Sequence, residues 1–242
     1  HREAFIYGSE RITFTEFNAR VNRLIHAFGS LGVKKGEAIG VLSWNCLEYT
    51  DVYGAAMKGG FIISPLNPRL EAEELANLIN YSEVNTLFVG PELVKTANLL
   101  RPRISRVKNF ISLEGPADGM TPHRELLENF GEEEPDVQVE EDDPVVIFYT
   151  SGTTGVPRGG LYDHRRAVSD NKTFAIAAGL QPKDKQVMIM PLFHIGGSKI
   201  SWAYFCVGGS NVILKFFDPE ITLRTIQEER ATDIHIVPTH LG

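Results

Sequence analysis

The most informative stretch of the chain runs from residue 145 to residue 159 and reads Val145-Val146-Ile147-Phe148-Tyr149-Thr150-Ser151-Gly152-Thr153-Thr154-Gly155-Val156-Pro157-Arg158-Gly159. Its apolar beginning predicts a buried strand, and the hydroxyl-bearing and glycine residues that follow predict a loop. Glycines let several backbone N–H groups point toward one anion, and hydroxyl groups add further donors. Arg158 supplies a positive charge that suits a polyphosphate. The pattern predicts a phosphate-binding loop, and an ordinary surface turn is the alternative.

This loop differs from the common nucleotide-binding motifs. The chain has neither the G-x-x-x-x-G-K-[ST] pattern of a Walker P-loop nor a G-x-G-x-x-G dinucleotide turn. The loop instead resembles the signature T-S-G-T-T-G-x-P-K-G of the adenylate-forming (AMP-binding) superfamily, which includes acyl-CoA synthetases, luciferases and the adenylation domains of peptide synthetases. Nine of the ten pattern positions between Thr150 and Gly159 agree, and Arg158 stands where the family usually has lysine.

Further segments resemble the same family in the same order along the chain. Asp163-His164 stands where the signature block usually continues with Ser-His, so that motif is broken. The P-L-F-H-x-x-G segment of the family is matched by Pro191-Leu192-Phe193-His194-Ile195-Gly196-Gly197. The F-D-P turn is matched by residues 217–219, and the V-P-T segment by residues 237–239.

The resemblance implies a two-step reaction in which a carboxylate is activated by ATP and then passed to a thiol, usually that of coenzyme A. It assigns the ATP phosphates to the loop and its flanks, namely Thr150, Ser151, Gly152, Thr153, Thr154, Gly155, Arg158 and Gly159. Arg158 would supply the charge that lysine usually supplies, although a planar guanidinium differs from a point charge. The resemblance also implies Mg²⁺, with no metal ligand assigned within this chain.

Among the histidines, only His194 is a candidate catalytic residue. In the family this position lines the junction of the acyl and thiol channels, whereas a histidine before a Gly-Gly helix start is otherwise usually structural. For His164 a structural cap is the favoured interpretation. His235 and His240 are not expected to bind a metal, because Pro238 between them breaks any helical register. Trp202 is expected to pack in the core, near the acyl channel that the resemblance implies.

Composition agrees with a globular enzyme and excludes other classes. The chain has 242 residues and a formal charge of −7, which argues against general nucleic-acid binding. No apolar run reaches the length of a membrane span, and no secretory leader opens the chain. Cys46 and Cys206 are far apart, and we expect both to be buried, reduced thiols in a cytoplasmic protein. A homodimer is kept open as a form of assembly.

Strand-like and helix-like segments alternate along the chain, which predicts an α/β fold of duplicated, mostly parallel sheets flanked by helices. Thr15 and Asn45 are predicted to cap the first two helices. The segment Glu132 to Asp143 holds eight acidic residues and no basic one, which predicts an exposed linker. A docking patch for a basic partner is the alternative. We expect a first α/β half over residues 1–131 and a second half, with the phosphate loop, over 144–242.

The resemblance covers only the first half of a family member, because the later Y-G-x-T-E and T-G-D motifs and the C-terminal domain with its lysine lie beyond Gly242. We therefore expect an incomplete large N-terminal domain that binds phosphate weakly and does not turn over alone. The expected substrate of the complete enzyme is a fatty or aromatic carboxylic acid. Alternatives are an adenylation domain that loads a carrier protein, a truncated nucleotide-binding module without catalysis, and a purely structural domain.

Overall fold

The computed structural model of this protein describes residues 2–150 and 158–240. Within them the strands are β1 (Glu3–Tyr7), β2 (Glu10–Thr13), β3 (Ala38–Leu42), β4 (Ile62–Leu66), β5 (Thr86–Val89), β6 (Asn109–Ser112), β7 (Thr121–Pro122), β8 (Pro144–Thr150), β9 (Arg158–Asp163), β10 (Lys185–Met188), β11 (Ser210–Ile213) and β12 (Asp233–Ile234). The α-helices are α1 (Phe14–Ser30), α2 (Leu47–Gly59), α3 (Ala72–Tyr81), α4 (Val94–Leu100), α5 (His123–Glu128), α6 (His164–Ala178), α7 (Ile195–Val207) and α8 (Pro219–Glu229). Short 3₁₀ turns lie at Pro91–Leu93, Arg101–Arg103 and Pro238–His240.

The described residues form two compact units, each with its own sheet. The five-strand unit comprises the residues up to Phe17, Trp44–Leu47 and those from Arg166 onward. The seven-strand unit comprises Asn18–Ser43 and those of Glu48–Arg165. Among the described residues, no helix combines the length and the apolar character that a membrane crossing requires.

The sheet of the seven-strand unit has the order β7-β6-β5-β3-β4-β8-β9. All neighbours are parallel except β9, which runs antiparallel to β8 at one edge. Strands β3 and β5 are buried along their whole length, as expected for parallel strands that helices cover. Helix α3 begins after a capping box formed by Glu71 and Glu74, and packs Leu75 and Leu78 into this core.

The sheet of the five-strand unit has the order β12-β10-β11-β1-β2. Only the β1–β2 pair is antiparallel. The sequence analysis did not predict β1, which pairs with β11 in the register Phe5↔Asn211. Phe5 and Trp202 belong to an aromatic cluster in which the ring centroid of Phe205 lies 5.7 Å from that of Phe5 and 5.2 Å from that of Trp202. The prediction that Trp202 packs in the core is confirmed, since it is 5% exposed.

The acidic segment 132–143 is mostly exposed, as predicted, but several of its carboxylates are paired with basic side chains of the seven-strand unit. Glu134 lies 2.5 Å from Lys58 Nζ, and this contact lowers the pKa of Glu134 to about 2. Asp143 Oδ2 lies 2.6 Å from Lys35 Nζ. A basic partner would have to compete with these internal ion pairs.

The predicted fold class is confirmed, because both sheets are largely parallel and flanked by helices. The sheets do not follow chain order, since β8 and β9 join the strands that precede the acidic segment, while β1 and β2 join strands that follow it. The domain boundaries at 131 and 144 stay a prediction.

Two local predictions are wrong. Helix α1 is capped by Thr13 rather than by Thr15, since Thr13 Oγ1 accepts from Glu16 N at 3.2 Å and Glu16 Oε2 accepts from Thr13 N at 2.8 Å. This reciprocal pair is a capping box two residues earlier than the apolar pattern indicated. Cys46 is buried as expected, but Cys206 is exposed near the end of α7, on the side that faces away from the core.

Candidate functional site

Strands β8 and β9 hold the two ends of the predicted phosphate loop. They pair in the antiparallel register Tyr149↔Gly159 and Thr150↔Arg158. The residues on both sides of the loop therefore belong to the same pair of hydrogen-bonded strands, at the edge of the seven-strand sheet. Of the predicted phosphate-binding residues, the following lie outside the described residues: Ser151, Gly152, Thr153, Thr154 and Gly155.

A chain of hydrogen-bonded hydroxyl groups holds the end of strand β8, just before the loop. Tyr149 Oη lies 2.6 Å from Ser64 Oγ, and Ser64 Oγ lies 3.3 Å from Ser82 Oγ. Because the Ser82 hydroxyl donates to Leu78 O at 2.6 Å, it accepts from Ser64, which in turn accepts from Tyr149. Burial raises the pKa of Tyr149, so its hydroxyl stays protonated as this direction requires. Sequence reasoning missed this chain, because its members are far apart in sequence.

Gly159 is the first residue of the loop's far flank that the structure describes with its surroundings. A Cβ atom at this position would meet Ile147 Cγ2 at 2.8 Å and Tyr81 Cε1 at 3.4 Å. A side chain here would therefore push against the neighbouring strand. Gly160 is different, since its nearest neighbour would be Phe148 O at 3.7 Å. A side chain would therefore be tolerated less well at position 159 than at position 160.

His194 lies in the five-strand unit, between β10 and helix α7, and is the N-cap of that helix. Its Nδ1 accepts a hydrogen bond from the backbone N–H of Gly196 at 3.0 Å, and its imidazole is exposed. A neutral imidazole that accepts at Nδ1 carries its proton on Nε2. His194 therefore presents Nε2–H as a hydrogen-bond donor, a form suited to a carboxylate or acyl oxygen.

The Pro191–His194 turn is packed tightly onto the start of α7. His194 N donates to Pro191 O at 3.1 Å, and His194 O accepts from the backbone N–H of Gly197 at 3.0 Å. A Cβ atom at Gly197 would come within 2.1 Å of Pro191 O and 2.8 Å of Met190 O. Glycine is required here because the helix start and the turn approach each other through their backbones.

His164 and His240 each have a separate local environment. His164 is the first residue of α6, and burial lowers its pKa. His240 Nδ1 accepts from Val237 N at 3.2 Å, and its ring centroid lies 4.5 Å from that of Phe217. Among the residues that the structure describes, no group of three or more His, Cys, Asp or Glu side chains could hold a metal.

A groove of about 850 Å³ opens in the seven-strand unit. At the amino ends of its parallel strands it is lined by Ala38, Ile62, Asn85 and Asn109. Ligands of open α/β sheets bind outside the carboxyl ends of the strands, which is where the 151–157 loop follows β8. The groove therefore lies at the opposite edge of the sheet from the one where ligands of this fold class are expected.

The arrangement of paired strands, hydroxyl- and glycine-rich loop and following helical segments is that of a known family. The chain belongs to the AMP-binding enzyme family, whose model matches residues 1–242.

Particular relatives fit this assignment. The chain is 30% identical over 233 residues to the long-chain-fatty-acid–CoA ligase of Thermus thermophilus, with 95% of this chain and 42% of that protein covered. It is 30% identical over 243 residues to the indoleacetate–CoA ligase of Aromatoleum aromaticum, with 99% and 47% covered. The crystal structure of the inhibitor-bound N-terminal domain of FACL13 from Mycobacterium tuberculosis is similar with a TM-score of 0.92 at 26% identity, covering 99% of this chain and 60% of that one. The chain spans less than half the length of these two curated relatives.

Proposed function

We propose that the protein carrying this chain is an AMP-forming acid–thiol ligase. In the first step a carboxylate oxygen attacks the α-phosphorus of ATP, which forms an acyl-adenylate and releases pyrophosphate. In the second step the sulfur of coenzyme A attacks the acyl carbon, which forms a thioester and releases AMP. The observation that carries this proposal is the T-S-G-T-T-G-x-P-R-G sequence placed between two paired strands.

The loop is proposed to hold the β- and γ-phosphates through backbone N–H groups and hydroxyls. Thr150 and Arg158 lie opposite each other in the β8–β9 ladder, so the two ends of the 151–157 segment are held next to each other. Arg158 is proposed to neutralise charge on the phosphates as pyrophosphate leaves. This step needs positioned donors and charge more than it needs a base. Mg²⁺ would supply further neutralisation when bound, and no described residue is assigned to it.

His194 is proposed to act on the acyl side of the reaction. Its Nε2–H is available to donate to the carboxylate or to the acyl oxygen, because Nδ1 is already occupied by the Gly196 N–H. Such a donor would orient the attacking oxygen and stabilise charge on it.

The proposed acid is a fatty or aromatic carboxylate. The names of the relatives support this class, since one acts on long-chain fatty acids and another on indoleacetate. An adenylation domain that loads a carrier protein is the second candidate, and a nucleotide-binding module without catalysis is the third. A panel of carboxylates in an ATP–pyrophosphate exchange assay separates them, because exchange with an amino acid alone favours the second and no exchange favours the third. A cytoplasmic location and a homodimer stay predictions.

The phosphate loop is tested by the double substitution Thr153→Ala with Arg158→Ala in the complete protein. We expect ATP–pyrophosphate exchange to be abolished, because a hydroxyl donor and the cation of the loop are both removed. Gly160→Ala is the matched control, since a Cβ there would make only an ordinary contact with Phe148 O at 3.7 Å, and exchange should persist. Near-normal exchange in the double variant would overturn the assignment of the loop.

A further inference from the structure

Asn45 binds three backbone groups of distant segments within the five-strand unit. It lies between β3 and α2 and is 2% exposed. Its Nδ2 donates to Met190 O at 3.1 Å and to Leu214 O at 3.2 Å. Its Oδ1 accepts from the backbone N–H of Leu192 at 2.8 Å. The sequence analysis had suggested only a helix cap for this residue.

These three contacts connect two strand ends with the turn that leads to His194. Met190 follows β10, Leu214 follows the neighbouring strand β11, and Leu192 lies in the Pro191–His194 turn. A primary amide offers two donor hydrogens and an acceptor oxygen on one rigid plane. Aspartate has the same shape but no donor when ionised, so it would place a negative charge against two carbonyl oxygens.

The neighbouring aromatic side chain supports the same turn. The Trp44 ring centroid lies 6.1 Å from that of Phe193 and 5.2 Å from that of Phe216, both with tilted geometry near edge-to-face. Residues 44 and 45 therefore contact the turn through a ring on one side and an amide on the other. His194 comes directly after Phe193 and is fixed by the Gly196 N–H at the start of α7.

We propose that Asn45 is a positioning residue that sets the place of residues 190–194 and thereby the direction of the His194 imidazole. The proposal rests on the proposed function, because His194 is assigned there to the acyl side. Removing the amide frees three backbone groups and lets the turn move while the helix cap at His194 persists. A displacement of about 1 Å in a group that contacts the substrate can lower turnover by about a hundredfold.

The test compares Asn45→Ala, Asn45→Asp and a matched control in the complete protein. Asn211→Ala is the control, because Asn211 is buried in the same unit and binds Ser201 and Gln186 rather than the turn. We expect both Asn45 variants to lower kcat for thioester formation at least about tenfold, with KM for ATP nearly unchanged. The control should lose thermal stability and keep its turnover.

Two further measurements separate positioning from general stabilisation. Hydrogen exchange of the Leu192 amide should accelerate in Asn45→Ala and stay slow in Asn211→Ala, because only the first variant removes its acceptor. In a double-mutant cycle, Asn45→Ala should cost little in a His194→Ala background, since the residue acts through His194. Unchanged exchange at Leu192, an additive loss in the cycle, or wild-type kcat in Asn45→Asp would each overturn the proposal. Absence of ATP–pyrophosphate exchange in the wild type with every carboxylate would instead overturn the proposed function, and the amide-exchange test of Asn45 would still stand.

Discussion

At His194 one side chain serves two purposes, because the ring nitrogen that caps α7 also decides where the ring carries its proton. Nδ1 accepts from the Gly196 N–H at 3.0 Å, which leaves the proton on Nε2. Histidine is an uncommon N-cap, since serine, threonine, aspartate and asparagine are preferred there. Histidine therefore caps the helix and keeps an exposed donor, which an alanine at this position would not offer.

The cap at Nδ1 and the donor at Nε2 can be tested separately by substitution of His194. His194→Asn keeps a side-chain acceptor for the helix start, whereas His194→Ala removes it. We expect both variants to lower the rate of thioester formation by about a hundredfold. Alanine has no donor, and in asparagine the Nδ2 donor lies closer to the backbone than imidazole Nε2 once Oδ1 caps the helix. Thermal unfolding should show a loss of about 1 kcal/mol for His194→Ala and a smaller loss for His194→Asn. Wild-type turnover in His194→Asn would mean that the imidazole Nε2–H is not required for the reaction.

At the scale of elements, helix boundaries followed from local signals where the capping residue was adjacent in sequence. Helix α8 begins after Asp218, whose Oδ1 accepts from Ile221 N at 2.8 Å. Helix α3 likewise begins after Glu71, which forms a capping box with Glu74. The start of α7 is less local, because the Pro191–His194 turn folds back onto it at Gly197.

The contact at Gly197 leads to a prediction for this element. Gly197→Ala should lower the free energy of unfolding by ~1–3 kcal/mol, because the new Cβ would lie 2.1 Å from a backbone oxygen that cannot rotate away. Turnover should fall as well, since the turn before His194 must shift. Gly29→Ala in α1 is the control, because a Cβ there meets nothing within 4 Å. It should leave stability unchanged or raise it by about 1 kcal/mol, and denaturant unfolding measures both. Equal stability of the two variants would show that the turn accommodates the methyl group.

At the scale of the whole molecule, the seven-strand unit buries a charged group that the proposed chemistry does not use. Asp51 is fully buried, and Arg20 binds it through Nε at 3.0 Å and Nη2 at 2.6 Å. His123 is 3% exposed, and its Nε2 lies 3.5 Å from Asp51 Oδ2. Burial lowers the pKa of His123 to about 4, although Asp51 opposes this shift. At neutral pH this histidine is uncharged, and the contact is not an ion pair.

The low pKa of His123 predicts how global stability depends on pH. An unfolded histidine titrates near pH 6.5, so between about pH 4 and 6.5 the unfolded state binds a proton that the folded state does not. Stability should therefore fall on acidification across this window by about 1.4 kcal/mol per pH unit from this group. The neighbouring carboxyl of Glu48, whose pKa burial raises, acts in the opposite sense.

His123→Gln isolates this contribution, because it removes the titration and keeps a polar side chain of similar size. Denaturant unfolding at pH 5, 6 and 7 should show a flatter dependence in the variant than in the wild type. Protonation of Glu134 does not interfere, since its pKa of about 2 and the ordinary value of 4.5 both lie below this range. Parallel slopes in the two proteins would contradict the assignment.

The sequence by itself determined the α/β class, and it predicted a phosphate-binding loop at 150–159, which stays a prediction. It could do so because the spacing of apolar residues, the capping residues and the glycines determine local structure within about ten residues of chain. Only the tertiary structure decided that β1 pairs with β11, that Asn45 reaches the turn before His194, and that Lys58 pairs with Glu134. These contacts join residues from roughly 80 to 200 positions apart, and no local pattern specifies which distant strand, backbone group or carboxylate a residue will meet.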